Sequence, residues 1–533
     1  MAAGLAMVLA VAGITAALVL NQPGRPSPTP VSPSPTGSPA SPTPPPASPT
    51  PSADPGTPGR CGAVPTRARR ELRGMWLATV RNLDWPSRPG LSESEVKREY
   101  RRWLDLAQRF NHNAIVVQVR PSGDAFWPSV YAPWSLWLTG RGDGVDPGWD
   151  PMAFLVAETH ARGMEFHAWF NPYRGGSPAA AGGPGTDLTE LAPGHPLREN
   201  PDWAIAYPDD PDTGSLYFDP GNPDARRHVE DAILDAVARY DLDAVHLDDF
   251  FYPYPQSGQR FNDDASFARY GEGSRAAWRR ANVNAFVSEL HRRIKELDAG
   301  VKFGISPFGI WKNAVADGGA GTNGLESYHA IHADSRRWVE QGWVDYIAPQ
   351  LYWQIGFDRA DYAALLPWWV ALTRDTDVHL YVGQADYRVG QGGAWDDPGE
   401  LSRHLALGRE LGVQGNLHFR AGSVSDDALG AQTRYRDEFY SRPALVPVME
   451  QLPADPPAAP QGLAVAQSGT DVTLTWSPTD GAARYAVYRA GAEVADLVAV
   501  TGGTSFTGAA GSYCVAGLDR AWNEGPVSAP VTG

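Results

Sequence analysis

The sequence predicts an α/β fold, a (β/α)8 TIM barrel, followed by a small all-β immunoglobulin-like sandwich. Three observations carry that prediction. From Glu71 onward eight short β-rich runs alternate with amphipathic helical stretches, the pattern of a parallel sheet covered by helices. The longest irregular stretches, about residues 120–149 and 171–221, follow strand runs rather than helices, which in a barrel puts them on the C-terminal face. After Pro443 the chain becomes Pro- and Ala-rich and then breaks into short strands. An open doubly wound sheet is the alternative to closure, and eight repeats favour the closed form.

The elements follow in order. Residues 1–20 are almost wholly apolar and read either as a signal h-region or as a short membrane span; export follows in both cases, with the protein cleaved free or attached to the membrane. Residues 21–60 are Pro, Ser, Thr and Gly with few apolar side chains, a tether rather than a core-forming segment. The barrel spans 70–442. Its strand runs are LRGMWLAT (72–79), NAIVVQV (113–119), MEFHAWF (164–170), DAVHLDD (243–249), KFGISPF (302–308), VDYIAPQLYW (344–353), VHLYVGQA (378–385) and VQGNLHF (413–419).

The helices between them carry start signals. Ser92 with Glu95 forms a capping box ahead of Val96, Tyr100, Trp103, Leu104 and Ala107. Asn222-Pro223 supplies a cap and a first-turn proline before Val229, Ile233, Val237 and Tyr240. Val283, Phe286, Val287, Leu290, Ile294 and Leu297 repeat the stripe after the fourth strand. A linker covers 443–459. The tail, 460–533, holds Trp476, the Tyr485-Val487-Tyr488 strand and a closing tyrosine strand, and it resembles a fibronectin type III module.

Composition excludes some functions. A net charge of −16 over 533 residues, with no basic stripe, argues against nucleic acid as a partner. Only two cysteines exist, Cys61 and Cys514, so neither a zinc knuckle nor a disulfide framework is available; one bridge between them stays open. The 19 Trp and 20 Tyr suit either a large core or a sugar-binding cleft. Trp127, Trp134, Trp137, Trp311, Trp353 and Trp395 fall in strand-following loops, where each either stacks on a sugar or pins its loop.

The fourth strand is the most informative segment. In DAVHLDDFFYP, Val245 and Leu247 face the helices, so period-two alternation turns His246 and Asp248 toward the barrel axis. Asp249 follows at the strand end. Two adjacent carboxyls in a partly dry mouth repel each other, which raises one pKa and lets that group donate a proton at neutral pH. An acid and a charged partner are what glycosidic cleavage needs. The alternative is a structural pair, one capping the loop and one hydrogen-bonded within the scaffold.

Other inward candidates are Gln118 and Arg120 on the second strand, Asn171 and Tyr173 after the third, Trp311 after the fifth, Gln350, Tyr352 and Trp353 on the sixth, and His418 on the eighth. Most are neutral hydrogen-bonding groups of the kind that read sugar hydroxyls, and no Gly-rich phosphate loop or cation cluster accompanies them. A catalytic metal held by His167, His246, Asp248 and His418 is the weaker reading, because strand-end His pairs one residue apart are absent. No metal and no cofactor is expected.

ELRGMWLATVRNLDWPS (71–87), VVQVRPSGDAFWPS (116–129), FHAWFNPYR (166–174), HLDDFFYPYP (246–255), ISPFGIWKN (305–313) and IAPQLYWQ (347–354) closely resemble the glycosyl hydrolase-like 10 family. That resemblance implies an exported barrel that hydrolyses glycan, with peptidoglycan strands the first substrate class to name. It implies Asp248 and Asp249 as the acids and Asn171 as the loop asparagine. Many family members are lipoproteins, whereas no cysteine closely follows the apolar run here. The fourth and sixth strands also look faintly like chitinase-type barrels, in which the substrate's own acetamido group acts as nucleophile and a tyrosine steadies it. Tyr352 fits that tyrosine, but Phe250 or a neighbour stands where the glutamate of those enzymes would be. The rival class is a carbohydrate-binding or wall-organising protein that kept the barrel and lost turnover.

Overall fold

The computed structural model describes residues 59–140 and 142–533. The apolar run of 1–20 and nearly all of the 21–60 tether therefore lie outside the described residues. Eight parallel strands close into a barrel: β1 Leu72–Leu77, β2 Ala114–Arg120, β3 Glu165–Phe170, β4 Ala244–Leu247, β5 Lys302–Ile305, β6 Tyr346–Ile347, β7 His379–Gln384 and β8 Gly415–His418. Closure comes from β8 pairing with β1, Gly415 opposite Leu72 and His418 opposite Met75.

All eight strand runs form strands, but β5 and β6 stop early. Pro307 and Pro349 carry no N–H for the ladder. Beyond them the sheet continues only as isolated bridges, Phe308 to Gln350 and Gln350 to Gly383.

One main helix follows each strand: α1 Glu93–Arg109, α2 Pro151–Ala161, α3 Pro223–Arg239, α4 Arg275–Leu297, α5 Ser335–Glu340, α6 Tyr362–Thr373, α7 Glu400–Glu410 and α8 Ala431–Phe439. The capping box forms at α1, with Ser92 N–H donating to Glu95 Oε2 at 3.0 Å. Asn222 caps α3 by accepting from Asp224 N–H and Ala225 N–H. The stripe of α4 buries Val283, Phe286, Val287, Leu290 and Ile294, each contributing about 1.5–3 kcal/mol. Leu297, expected in that stripe, is the last helical residue and is 49% exposed.

The tail is a sandwich of two antiparallel layers. One holds β9 Ala464–Ser468, β10 Asp471–Thr475 and β13 Ser505–Ala509; the other holds β11 Arg484–Ala490, β12 Ala495–Thr501, β14 Ser512–Leu518 and β15 Glu524–Val527. The second layer also recruits the start of the described chain. Val64–Arg67 lies parallel to β12 and pairs in turn with Arg60–Cys61. A disulfide joins Cys61 to Cys514 across 453 positions. The 443–459 stretch is packed rather than free, since Val446, Met449 and Leu452 share a core with barrel and sandwich residues.

The sandwich covers the N-terminal end of the barrel. Arg484 on β11 donates to Asp243 at 2.8 Å, and Trp522 Nε1 donates to Glu165 at 2.6 Å. Glu165 also holds Lys302 and His167, and Asp243 also holds His160 at 2.7 Å. Among the described residues, no helix is long and apolar enough to cross a membrane.

Candidate active site

Asp248 and Asp249 leave β4 at the open end of the barrel, each 5% exposed. The alternation that places them holds along β4: Ala244 and His246 point to the interior, while Val245 and Leu247 are buried on the helix side. Asp248 Oδ2 accepts from Asn171 Nδ2 and from Trp169 Nε1 at 3.3 Å, and Oδ1 accepts from Phe250 N–H at 3.2 Å. Asp249 accepts from the Tyr254 hydroxyl and faces the Gln350 side chain, whose amide also donates to Ser306 O at 2.9 Å.

Burial, then the neighbouring Asp249 charge, pushes Asp248 up to about 7. Burial likewise raises Asp249, opposed by its bond from Tyr254. Strongly interacting carboxyls titrate as a unit, so the pair as a whole is pushed toward protonation.

The orientation of Asn171 is fixed by a relay. Gln118 Oε1 accepts from Thr79 N–H and Val80 N–H, both at 2.9 Å, which leaves Gln118 Nε2 to donate to Asn171 Oδ1 at 2.6 Å. Asn171 must then present its own nitrogen to Asp248. Two neutral amides in series thus deliver a donor to the carboxylate. Tyr352 also lies near both carboxyls, against Phe419 and Tyr387, and Trp353 packs on Phe308 beside Tyr254.

His246 sits one layer lower. Trp76 Nε1 approaches its Nε2 at 3.2 Å and the Tyr346 hydroxyl its Nδ1 at 2.9 Å, which makes it an interior group beneath the carboxyls.

Four expected site residues are placed elsewhere. His418 points away from the axis to Asp386 at 2.9 Å and stacks on Tyr435; the axis-facing residue of β8 is Leu417, whose Cδ2 lies 2.2 Å from where a Cβ on Gly74 would stand. Arg120 follows a register shift in β2 that breaks the alternation, and its guanidinium donates to the carbonyls of Asn171 and Pro172 under the long loop. Tyr173 packs on Phe286 of α4. Trp311 donates to Asp334 at 2.9 Å and stacks on Trp368. Trp127 and Trp395 are also loop pins, fully buried and bonded to Asp235 and Gln354. His167, His246, Asp248 and His418 accordingly do not converge.

Sequence reasoning missed Trp169, Tyr254, Arg81 and Arg174. All four lie inside the motifs ELRGMWLATVRNLDWPS, FHAWFNPYR and HLDDFFYPYP, and for Tyr254 and Arg174 the spacing from the dyad and from Asn171 is the available signal. A separate groove of about 390 Å³ runs along α1, lined by Glu99, Arg102, Asp105 and Arg109, and contains none of the dyad's neighbours.

Two buried carboxyls pushed toward protonation, among hydrogen-bonding side chains and beside the Arg174 guanidinium, suit acid cleavage of glycosidic bonds, which places the molecule among barrels of the glycoside hydrolase type. Residues 71–398 match the glycosyl hydrolase-like 10 family, and the chain belongs to that family. It is 44% identical to the glycosyl hydrolase YngK of Bacillus subtilis (strain 168) over 436 residues, 79% of this chain and 83% of that one. It is 38% identical to the glycosyl hydrolase DigH of Escherichia coli (strain K12) over 345 residues, 62% of this chain and 76% of that one. Among solved structures it is similar to the PgaB (BpsB) glycoside hydrolase domain from Bordetella bronchiseptica, with a TM-score of 0.45 at 14% identity over 69% of this chain and 98% of that one.

Proposed function

We propose that this protein is an exported glycoside hydrolase acting on a cell-wall-type polysaccharide, with peptidoglycan glycan strands as the substrate. The observation that carries the reading is the buried Asp248-Asp249 pair at the barrel mouth, pushed toward protonation and surrounded by Asn171, Gln350 and Tyr352. Three donors converge on Asp248. One member of the pair holds a proton and donates it to the leaving oxygen, and burial together with the neighbouring charge favours the protonated form of Asp248. The other carboxylate, or an acetamido group of the sugar, stabilises the oxocarbenium-like transition state. Tyr352 steadies that group.

The N-terminal apolar run serves export, with or without membrane attachment, and the sandwich is a fibronectin type III-like module. Membership in a hydrolase family and the similarity to the glycosyl hydrolases YngK and DigH support the enzymatic reading over a purely binding one.

The test is digestion of purified N-acetylated glycan strands with product identification by mass spectrometry. Asp248→Asn and Asp249→Asn should each lower turnover at least about a hundredfold with folding intact, the size expected for loss of general acid catalysis or its charged partner. Near-normal turnover in both variants removes the mechanism. Binding to wall material by the unmodified protein without release of reducing ends would favour the wall-organising alternative.

A further inference from the structure

The mouth also holds two guanidinium groups that the hydrolytic step does not use. Arg174 stands three residues after Asn171, its guanidinium 4.6 Å above the Phe250 ring, directly beside the dyad. Arg81 comes from the other side, in the loop after β1. Its backbone adopts the left-handed region, φ 56° and ψ 22°, as does Asn82 at φ 52°. Asparagine adopts that conformation readily, whereas for an arginine it is uncommon and is held by its surroundings.

Here the imposition is visible. Val80 N–H is tied to Gln118, the residue that orients Asn171, and Asn82 Nδ2 donates to Trp137 O at 2.7 Å and Pro86 O at 2.9 Å. The strained turn is thus clamped on both flanks and carries Arg81 to the edge of the relay that ends on Asp248.

Among the described residues, neither guanidinium forms an ion pair or hydrogen bond, although both are only partly exposed. Other half-buried arginines of the barrel are neutralised, such as Arg293 by Glu230 and Asp231, and Arg409 by Glu71. Arg174 faces the two carboxyls of the dyad without bonding to them, and it and Arg81 repel each other and share Tyr217 as a neighbour. Burial and mutual repulsion push the two carboxyls toward protonation, so they do not balance both guanidinium groups. The mouth is left with room for an anion, in a chain whose net charge is −16.

We propose that Arg81 and Arg174 form a clamp for a carboxylate carried by a sugar bound next to the scissile bond, so that the site selects an acidic glycan. A guanidinium fork matches a carboxylate in shape and charge, and a charge-assisted contact in a partly dry site separates an acidic sugar from its neutral counterpart by roughly ten- to a hundredfold. The clamp rests on the hydrolase reading of the dyad for its catalytic consequence, while its binding consequence stands apart.

The experiment uses glycan strands bearing free carboxylates and the same strands after conversion of those carboxylates to methyl amides. Binding is measured with Asp248→Asn and with Asp248→Asn/Arg81→Gln; cleavage is measured with the unmodified protein and with Arg81→Gln. Amidation should weaken binding and lower kcat/KM by about tenfold or more where Arg81 is present, and by less than about threefold in Arg81→Gln. A damaged fold would lower both substrates equally and leave that ratio unchanged. No preference in the parent, or a preference that survives Arg81→Gln, overturns the clamp. If nothing is cleaved but the binding preference tracks Arg81, the hydrolase reading fails and the clamp stands; if neither glycan binds, both fail.

Discussion

The two ends of the barrel bury the same kinds of group and treat them in opposite ways. At the covered end Glu165 is held by Lys302, His167 and Trp522, and it is pulled down to about 2 despite burial. Asp243, between Arg484 and His160, is drawn well below the usual carboxylate range. At the mouth Asp248 is as buried as these, yet burial and its twin push it up to about 7. Burial alone therefore does not set the charge of a carboxyl. A cation within bonding distance makes it scaffold, whereas a second carboxyl and neutral donors make it an acid at neutral pH.

The sharpest way to break this contrast is to remove a cation from the covered end. Arg484→Met leaves Asp243 without its strongest partner, and loss of one member of a buried pair costs about 3–5 kcal/mol. Denaturant unfolding should show that loss, while turnover per folded molecule stays unchanged.

Next comes the reverse experiment at the mouth. The native state binds the Asp248 proton more tightly than the unfolded chain does, so this group costs stability as pH rises from 3.8 through about 7. Asp248→Asn should stabilise the protein by about 1–3 kcal/mol at pH 8, with the gain shrinking by pH 5. A variant that is less stable than the parent at both pH values would contradict the contrast.

Glu165 has the opposite sign: its contribution is complete above about 4.5 and is lost as pH falls toward 2. Acid unfolding should thus start from the covered end, visible as early exposure of Trp522 fluorescence. Turnover should instead fall on the alkaline side, as the dyad loses its proton near pH 7.

The smallest effect is expected from Gln118→Glu, which keeps acceptors for Thr79 and Val80 but cannot donate to Asn171. Asn171 would turn its oxygen toward Asp248, and turnover per folded molecule should drop about tenfold.

Much of this was legible in the sequence because it depends on short-range periodicity. The eight strands, the caps at Ser92 and Asn222 and the inward phase of β4 all follow from residues within one element. What was not legible depends on partners far along the chain. His418 reads as inward by polarity, yet the interior of β8 belongs to Leu417 because Gly74 on the neighbouring strand leaves it space. Arg120 was misplaced by a single register shift. Arg81 lies in a turn with no periodicity, and only the bond from Val80 to Gln118 reveals where it stands.

The pairing of Val64–Arg67 with β12 sets an order of events during synthesis. One of the earliest strands of the described chain waits for a partner made some four hundred residues later, so the sheet that seals the base is assembled last. Until then the lower carboxylates Glu165 and Asp243 lack Trp522 and Arg484. A nascent barrel of this sequence is an unfinished vessel, and its last segment is the lid of its floor rather than an appendage.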